Sequence, residues 1–282
     1  MVETERLRIG LIGDPVAHSI SPAMQQPALD ALGIPATYEL WQTPADDLAR
    51  RLAFLRDPGT LGANVTVPHK LAVMEHLDDV SALARRAGAV NTIIATDGAL
   101  TGDNTDVYGF ATALTEVCPD AASRGAVILG AGGAARAVVL ALEQVGVTRI
   151  GIVNRNPDRA ARLAAELRPT AVDIVSSRRD NRHAALAGAE VLINATSLGW
   201  HPGDVPIEPE SLDLLPANAL VVDLTYRDTD LLRAARERGL PTLDGLSMLV
   251  HQGAKALELW TGRPPPVELM MAAAMRARAA RA

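Results

Sequence analysis

The chain has 282 residues, of which 48% are hydrophobic and 21% charged, and its formal net charge is −6. This length is sufficient for two domains, and the composition is that of ordinary globular proteins. The acidic balance argues against a nucleic-acid binder, which usually carries a basic excess. A single cysteine, Cys118, excludes an intrachain disulfide and a zinc site built on several thiolates.

No apolar run approaches the ~18 residues that a membrane span requires, and the acidic start is unlike a signal peptide. We therefore expect a soluble, cytoplasmic protein with neither a membrane nor a nucleic-acid partner. The sequence leaves open whether it is a monomer or a homodimer.

Strand-like and helix-like segments alternate along the chain, which predicts an α/β fold with largely parallel strands. A helix is expected to start at Ser21-Pro22, with the serine as its cap, and to stop at Gly33. A turn is expected at Asp97-Gly98. The remaining elements predicted in this first part are strands at 7–12, 36–42, 62–67 and 90–95, and helices at 46–56 and 82–87.

The second part begins near Val107 with a helix that leads to a short apolar strand at 126–129, of the kind buried on both faces. Two further helices are expected from about Asp244, separated by three prolines at 264–266. The elements predicted between these points are strands at 149–153, 171–175, 191–194 and 220–224, and helices at 134–145, 158–167 and 230–238. We see no internal repeat and no flexible linker, and we place a domain boundary near residue 106.

Lysine is scarce in this chain, because only Lys70 and Lys255 stand among 27 basic residues and the others are arginines. A guanidinium does not release a proton in proteins whereas an ammonium can, so a retained lysine is a candidate for proton transfer. Lys70 stands at the carboxyl end of a predicted strand, where α/β enzymes place their chemistry. The alternative interpretation is a solvated surface lysine.

A glycine-rich turn at 130–135 lies between an apolar strand and a long helix, which is the context of a dinucleotide-binding turn. Glycines let the backbone approach a pyrophosphate, which the N–H groups and the dipole of the helix N-terminus stabilise. The cofactor contacts expected in this turn are Gly130, Ala131, Gly132, Gly133 and Ala134.

The next strand ends at Asn154, where NAD enzymes usually carry an acidic residue for the ribose hydroxyl. Here the neutral Asn154 precedes Arg155 and Asn156, and Arg159 stands about one helical turn further on. Two guanidiniums suit a 2′-phosphate through charge-assisted, bidentate bonds, so the sequence favours NADP(H) over NAD. The alternative is an exposed arginine pair at the start of a helix.

These segments and several others resemble motifs of the shikimate dehydrogenase family, in order and at compatible spacing, across nearly the whole chain. The segments that carry the resemblance are 10–22, 62–70, 88–92, 102–106, 130–135, 154–159, 193–199, 223–226 and 244–252. The resemblance implies a substrate-binding catalytic domain at 1–106, a Rossmann NADP-binding domain at 107–243, and C-terminal helices at 244–282 that return to the first domain. It implies an active site in the cleft between the domains. The implied reaction is the reversible NADPH-dependent reduction of 3-dehydroshikimate to shikimate, in chorismate and aromatic amino acid biosynthesis.

Carried over residue by residue, the resemblance assigns Lys70 and Asp106 as the catalytic pair. This agrees with the chemistry, since an alkoxide formed from a ketone needs a proton that an ammonium beside a carboxylate can supply. The implied substrate contacts are Ser19, Ser21 and Tyr226 for a carboxylate, and Thr66, Asn91, Asp106 and Gln252 for ring hydroxyls. The cofactor contacts implied besides the glycine turn are Asn154, Arg155, Asn156, Arg159, Thr196, Leu224 and Gly245.

Simpler interpretations remain for some of these residues. Ser21 is also a candidate helix cap, Thr66 a plain strand residue and Gln252 a helix-surface amide. The six histidines form no spacing typical of a metal site, and we interpret His18 and His69 as structural or peripheral.

Some positions depart from the family pattern: Gln25-Gln26 replaces His-Asn, Val107 replaces glycine, Trp200 replaces methionine, and the loop after Tyr226 is short. These departures leave open a quinate or quinate/shikimate dehydrogenase or an aminoshikimate relative. Arg155 and Arg159 argue against the quinate enzyme, because many of those relatives prefer NAD. A non-catalytic shikimate-binding paralogue is the other alternative, against which the intact Lys70 and Asp106 argue.

Overall fold

The structure is a computed structural model that describes residues 6–167 and 179–281. These residues divide into two compact units. The first comprises the residues up to Thr105 together with those from Val250 onward, and the second is Asp106–Leu249. The predicted strand at 171–175 lies outside the described residues. None of the described helices is both long and apolar enough to span a bilayer.

The first unit is built on a mixed sheet with the strand order β2-β1-β3-β5-β6-β4. Its strands are β1 (Leu7–Gly13), β2 (Ala36–Gln42), β3 (Thr60–Val65), β4 (Asp79–Val80), β5 (Thr92–Thr96) and β6 (Ala99–Asp103). β1 pairs in parallel with β2 and β3, whereas β5 runs antiparallel to both β3 and β6. The α/β class is therefore as predicted, but this sheet is less parallel than the sequence indicated.

The helices that precede Thr105 are α1 (Ser21–Ala31), α2 (Leu48–Phe54) and α3 (Ala82–Ala87). The predicted helix at 46–56 is shorter than expected, because Ala45–Asp47 forms a 3₁₀ turn before α2. α3 has the ends that its sequence predicts: the Ser81 hydroxyl accepts the Ala84 N–H at 3.1 Å, and Gly88 terminates the helix at φ 62°.

The sequence analysis predicted the first strand and the turn of the hairpin formed by β5 and β6, but not its second strand. Asp97 and Gly98 both have positive φ, 51° and 80°, and join strands whose residues Thr96 and Ala99 are paired. Two consecutive positive φ values give a turn whose twist matches the flanking strands, and an Asp-Gly pair is the usual sequence for it. The sequence analysis recognised the turn but missed β6, whose exposed and buried residues alternate.

The second unit contains a fully parallel sheet with the order β11-β10-β9-β7-β8 among its described strands. These strands are β7 (Ala126–Leu129), β8 (Ile150–Val153), β9 (Val191–Asn194), β10 (Leu220–Asp223) and β11 (Thr242–Leu243). The helices that follow Thr105 are α4 (Asp106–Val117), α5 (Gly133–Val145), α6 (Pro157–Leu167), α7 (Arg179–Ala187), α8 (Asp230–Glu237), α9 (Leu246–Thr261) and α10 (Val267–Ala279). The sequence analysis missed α7 and β11. The parallel strands alternating with helices form a Rossmann-type domain.

The division between the units falls within α9, at Leu249 and Val250. α10 belongs to the first unit and packs against α1. β7 to β10 are buried along their whole length, as expected for strands covered on both faces. The strand ends, where the sequence changes from apolar to polar, are consequently the places where each sheet can present functional groups.

Candidate active site

Four chain segments bring polar residues to one edge of the first sheet. β1 and β3 are parallel, so their carboxyl ends, which lead to Ser19 and Thr66, lie at the same edge. β5 is antiparallel to β3, and therefore its first residues, next to Asn91, lie there too. β6 is antiparallel to β5, so its carboxyl end delivers Thr105 to this edge.

The two serines after β1 are hydrogen bonded to each other. The Ser19 hydroxyl donates to the Ser21 hydroxyl at 3.0 Å and accepts the Ser21 N–H at 3.2 Å. Ser21 is the first residue of α1 and Ile20 is the N-cap, without a side-chain cap bond. The interpretation of Ser21 as the helix cap is therefore wrong, and its hydroxyl is directed to other partners.

One of these partners is Tyr38 on β2, which the sequence analysis did not single out. Burial raises the pKa of the Tyr38 hydroxyl well above its ordinary value, an effect that the hydrogen bond with Ser21 partly offsets. The hydroxyl stays protonated and donates to Asn64 Oδ1 at 2.8 Å. The serine pair is thereby connected to the centre of the sheet.

Asn91 is the centre of a second group of hydrogen bonds. Its Oδ1 accepts the Thr105 N–H at 2.7 Å and the Thr92 hydroxyl at 3.1 Å. Its Nδ2 donates to the Thr105 hydroxyl at 3.0 Å and to Gln252 Oε1 at 3.3 Å. Asn64 joins the two groups, because its Nδ2 lies 3.3 Å from the Thr92 hydroxyl. Ser21, Asn91 and Gln252, predicted from widely separated motifs, thus belong to one buried network.

Gln252 is only 9% exposed, so its interpretation as a helix-surface amide is wrong. The network also contains four residues that the sequence analysis did not select: Tyr38, Asn64, Thr92 and Thr105. The sequence could have indicated Asn64, because it is a polar residue in a strand whose neighbouring residues are buried, and buried polar groups need hydrogen-bond partners. Nothing in the sequence indicated the role of Tyr38, because that role depends on the pairing of β2 with β1, which places Tyr38 opposite Ile9.

Lys70 lies in the loop after β3, which is fixed at several backbone points. Thr66 N–H donates to the Ile12 carbonyl at 2.8 Å, and the Lys70 carbonyl accepts the Val90 N–H at 2.7 Å. Within the loop, His69 is 2% exposed and its Nε2–H donates to the Thr43 carbonyl at 2.6 Å. The lysine is half-buried, so its backbone is held while its side chain retains contact with solvent. Thr66 follows β3 rather than lying within it.

Asp106 is the first residue of α4 and directly follows Thr105 in the chain. It is 9% exposed. The hydrogen bonds between Asn91 and Thr105 therefore fix the residue that precedes this carboxylate.

Gln25 and Gln26 of α1, which depart from the family pattern, both form hydrogen bonds of 2.9 Å. Gln25 Nε2 donates to the Gly253 carbonyl, and Gln26 Oε1 accepts the Tyr38 N–H.

In the second unit, the residues predicted to bind the cofactor follow the carboxyl ends of parallel strands and so share one edge of the sheet. Gly130 follows β7 with φ 111°, a conformation that favours glycine, and a Cβ there would lie 3.0 Å from the Ala195 carbonyl oxygen. A Cβ on Gly132 or Gly133 would meet no atom within 4 Å. The backbone at the start of α5 is therefore open to a ligand, which fits a dinucleotide pyrophosphate.

The segment after β8 presents two arginines to solvent. Asn154 and Asn156 shape it: Asn154 Nδ2 donates to the Asn156 carbonyl at 2.8 Å, and Asn156 Oδ1 accepts the Asp158 N–H at 2.9 Å. The guanidiniums of Arg155 and Arg159 are exposed and form no hydrogen bond or ion pair with any described residue. Their donors are thus available to an anionic group such as a 2′-phosphate.

A buried carboxylate organises the ends of β9 and β10. Asp223 accepts hydrogen bonds from the Thr225 N–H at 2.9 Å, the Thr229 hydroxyl at 2.9 Å and Asn194 Nδ2 at 3.1 Å. Asn194 in turn accepts the Thr196 N–H and hydroxyl, and its carbonyl accepts the Leu224 N–H. Two predicted cofactor contacts, Thr196 and Leu224, are therefore positioned by one network.

Gly245 belongs to the same region. A Cβ at this position would lie 2.0 Å from the Leu224 carbonyl oxygen, so no other residue fits against this strand end. Its N–H donates to the Thr225 carbonyl at 3.2 Å. Tyr226 lies edge-on to Trp200, with ring centroids 5.4 Å apart, and Arg227 lies over the Trp200 ring at 5.2 Å. The tryptophan that replaces the family's methionine is thus the residue that packs on Tyr226.

Burial raises the pKa of Asp223 above its ordinary value of 3.8, although its hydrogen bonds lower it in part. Because the folded state holds this proton more tightly than the unfolded chain, raising the pH from below 3.8 through the folded pKa lowers the free energy of unfolding. We expect Asp223→Asn to remove this part of the pH dependence. Urea unfolding of both proteins across that range measures it, and parallel curves would contradict the expectation.

The second unit, with its parallel sheet and open glycine turn, defines a dinucleotide-binding domain. It is joined in one chain to a mixed sheet with a polar, hydroxyl- and amide-rich edge. This combination is that of a two-domain, dinucleotide-dependent dehydrogenase.

Comparison with known proteins identifies the group within this class. The family model of the shikimate dehydrogenase substrate-binding domain matches residues 11–93. The model of shikimate/quinate 5-dehydrogenases matches residues 112–202, and that of the shikimate 5′-dehydrogenase C-terminal domain matches residues 245–275. The chain belongs to the shikimate dehydrogenase family.

Individual relatives agree over nearly full length. The NADP⁺-dependent shikimate dehydrogenase of Symbiobacterium thermophilum is 48% identical and aligns over 95% of this chain and 94% of its own length. The crystal structure of shikimate 5-dehydrogenase from Thermus thermophilus, in complex with NADP(H) and shikimate, has a TM-score of 0.86. It is 42% identical and covers 96% of this chain and 99% of its own. Quinate dehydrogenase from Corynebacterium glutamicum in complex with NAD is 34% identical over 96% and 99% of the two chains, with a TM-score of 0.88.

Proposed function

We propose that this protein catalyses the reversible NADPH-dependent reduction of 3-dehydroshikimate to shikimate. The observation that carries the proposal is the buried network at the edge of the first sheet, which joins Ser21, Asn91 and Gln252 through side-chain hydroxyls and amides. A cyclic polyol carboxylate needs such a density of donors and acceptors, held in fixed positions. Membership of the shikimate dehydrogenase family supports the same substrate.

In the proposed mechanism, bound NADPH supplies the hydride that reduces the ketone carbon. Lys70 gives a proton from its ammonium group to the ketone oxygen and takes it back in the reverse direction. Until that transfer, the same ammonium stabilises negative charge on the oxygen. We assign Asp106 the roles of orienting this ammonium group and of contacting a ring hydroxyl of the substrate.

Substrate binding is assigned to hydroxyl and amide side chains. Ser19, Ser21 and Tyr226 bind the carboxylate of the substrate through their hydroxyls. Thr66 joins Asn91 and Gln252 in binding the ring hydroxyls. Because the Ser19 and Ser21 hydroxyls are already oriented by each other and by Tyr38, little ordering is required when the carboxylate binds.

For the cofactor, the open backbone at Gly132 and Gly133 is assigned to the pyrophosphate, and Arg155 and Arg159 to the 2′-phosphate of NADP(H). Asn154 and Asn156 shape the segment that carries these arginines, and Thr196, Leu224 and Gly245 form the neighbouring wall. These assignments place a cofactor contact after each described strand of the parallel sheet.

The direct test follows NADPH consumption with 3-dehydroshikimate and with 3-dehydroquinate and identifies the products. Our proposal predicts rapid consumption with 3-dehydroshikimate and formation of shikimate. Comparable rates with 3-dehydroquinate would favour a quinate/shikimate dehydrogenase, a candidate that the similarity to the Corynebacterium quinate dehydrogenase keeps in view.

Replacing Arg155 by aspartate is expected to shift the cofactor preference toward NAD. A charge-assisted bond to the 2′-phosphate is lost and a repulsive charge is added, so the ratio of kcat/KM for NADP⁺ to that for NAD⁺ should fall by about 10–10²-fold. Arg162→Asp is the matched control, because Arg162 lies on α6 and, like Arg155, is an exposed residue, but has no assigned cofactor contact. An unchanged ratio in Arg155→Asp would remove this assignment.

A further inference from the structure

A cavity of about 250 Å³ lies in the first unit, between the end of β2 and α2. We call it the Arg51 pocket. Its lining residues are Gln42, Thr43, Asp47, Arg50, Arg51 and Phe54. None of these belongs to the substrate or cofactor sites assigned above, so the pocket is a separate feature that the proposed reaction does not explain.

Arg51 is held in place by aromatic rings. Its guanidinium carbon lies 5.3 Å from the centre of the Trp41 ring and 5.6 Å from that of Phe54. These two rings pack edge to face, with centroids 5.7 Å apart, and Trp41 is 4% exposed. Cation–π contacts with the buried Trp41 ring and the half-buried Phe54 ring restrict the guanidinium, which lowers the entropy that it loses when it binds a ligand.

The charges around Arg51 are unbalanced. The Arg8 guanidinium also lies over the Phe54 ring, 4.7 Å from its centre. Arg8 is paired with Glu39 through two hydrogen bonds of 3.2 Å. Arg50 is paired with Asp47 at 2.9 Å. Three guanidiniums therefore meet two carboxylates, in a chain whose net charge is −6. One positive charge of this cluster is left over.

Both carboxylates are already engaged. Glu39 also accepts the Trp41 indole N–H at 2.8 Å and the Thr37 hydroxyl at 3.1 Å. Arg51 forms no hydrogen bond or ion pair with any described residue. Burial, together with the positive charges of Arg8 and Arg50, lowers the pKa of Arg51, but a guanidinium remains protonated in proteins. The guanidinium that lines the pocket is thus a charged fork without an acceptor among the described residues.

We propose that the Arg51 pocket binds a small oxyanion, a carboxylate or a phosphate group. Arg51 would hold two oxygens of the anion side by side, the geometry that a planar guanidinium offers to both groups. Arg50 and Gln42 also line the pocket, and their side chains can supply further donors. This site is independent of the proposed function, since it shares no side chain with the substrate or cofactor sites.

The test observes the arginine Nε–H signals of the full-length protein by NMR during titration with inorganic phosphate, with acetate, and with chloride at matched ionic strength. The Arg51 signal is identified by its absence from the spectrum of Arg51→Met. We expect a saturable shift of this signal with phosphate or acetate and none with chloride. A response to only one of the two anions would identify which oxyanion the pocket accepts.

The variants separate binding from general charge effects. Arg51→Met keeps an unbranched apolar stem between the rings and should weaken the binding of the preferred anion at least about tenfold. Arg51→Lys keeps the charge without the planar fork, so it should weaken binding even if the methionine variant folds poorly. Arg276→Met, an exposed arginine of α10 in the same unit, is the matched control and should leave binding unchanged. Equal shifts of all exposed arginines, or unchanged binding in both Arg51 variants, would overturn the proposal.

Discussion

Replacement of Lys70 by alanine is expected to lower kcat by about 10²–10⁴-fold while the dissociation constant for shikimate changes only a few-fold. The reason is that the ammonium acts on the oxygen of the reacting carbonyl, whereas binding is shared among many hydroxyl and amide groups. Single-turnover rates with NADP⁺, together with equilibrium titration of shikimate, measure the two effects separately.

The chain offers a close control for this experiment. Lys255 is its only other lysine and is paired with Glu258 at 2.8 Å on α9, so Lys255→Ala should leave kcat unchanged. Lys70→Arg keeps the positive charge but cannot release a proton at neutral pH, and it should remain nearly as impaired as the alanine variant. Equal losses of turnover and substrate affinity in Lys70→Ala would mean that the lysine mainly binds the substrate or stabilises the fold.

The second large effect is expected for Asn91→Ala. This change leaves the buried Thr105 N–H without its acceptor and removes one hydrogen-bond partner of Gln252. Loss of a buried, multiply bonded amide should lower the free energy of unfolding by about 2–4 kcal/mol. Because Thr105 precedes Asp106, the same change should weaken shikimate binding and lower turnover in the fraction that remains folded.

Denaturant unfolding measures the stability, and substrate titration at a temperature where both proteins are folded measures the binding. Asn218→Ala is the matched control, since Asn218 is exposed and should cost little. If Asn91→Ala loses no more stability than Asn218→Ala and binds shikimate equally well, the network is not the element that holds the substrate residues.

The dinucleotide domain was largely predictable from the sequence, for a physical reason. The strands β7 to β10 are short, buried on both faces and parallel, so their carboxyl ends all lie at one edge of the sheet. The open glycine turn at Gly130–Gly133 and the arginines after β8 could therefore be assigned from chain order alone. The missed elements, α7 and β11, lack this strong apolar pattern.

The first unit was less predictable, because its site depends on antiparallel pairing that the chain order does not reveal. β6 was missed, and with it the reason why Asn91 and Thr105 meet. The side chain of Tyr38 connects Ser21 to Asn64 only because β2 pairs with β1 in one particular register. A helix-cap rule misassigned Ser21, since the preceding Ser19 hydroxyl already accepts its N–H.

The most direct test of the account measures the initial rate of cofactor reduction by shikimate and by quinate, each with NADP⁺ and with NAD⁺. We predict rapid reduction of NADP⁺ by shikimate and much slower rates in the other three combinations, because Arg155 and Arg159 bind the 2′-phosphate. Comparable turnover of quinate, or a preference for NAD⁺, would contradict the proposed substrate or cofactor. No reduction in any combination, with shikimate still bound, would contradict catalysis itself and leave a binding protein.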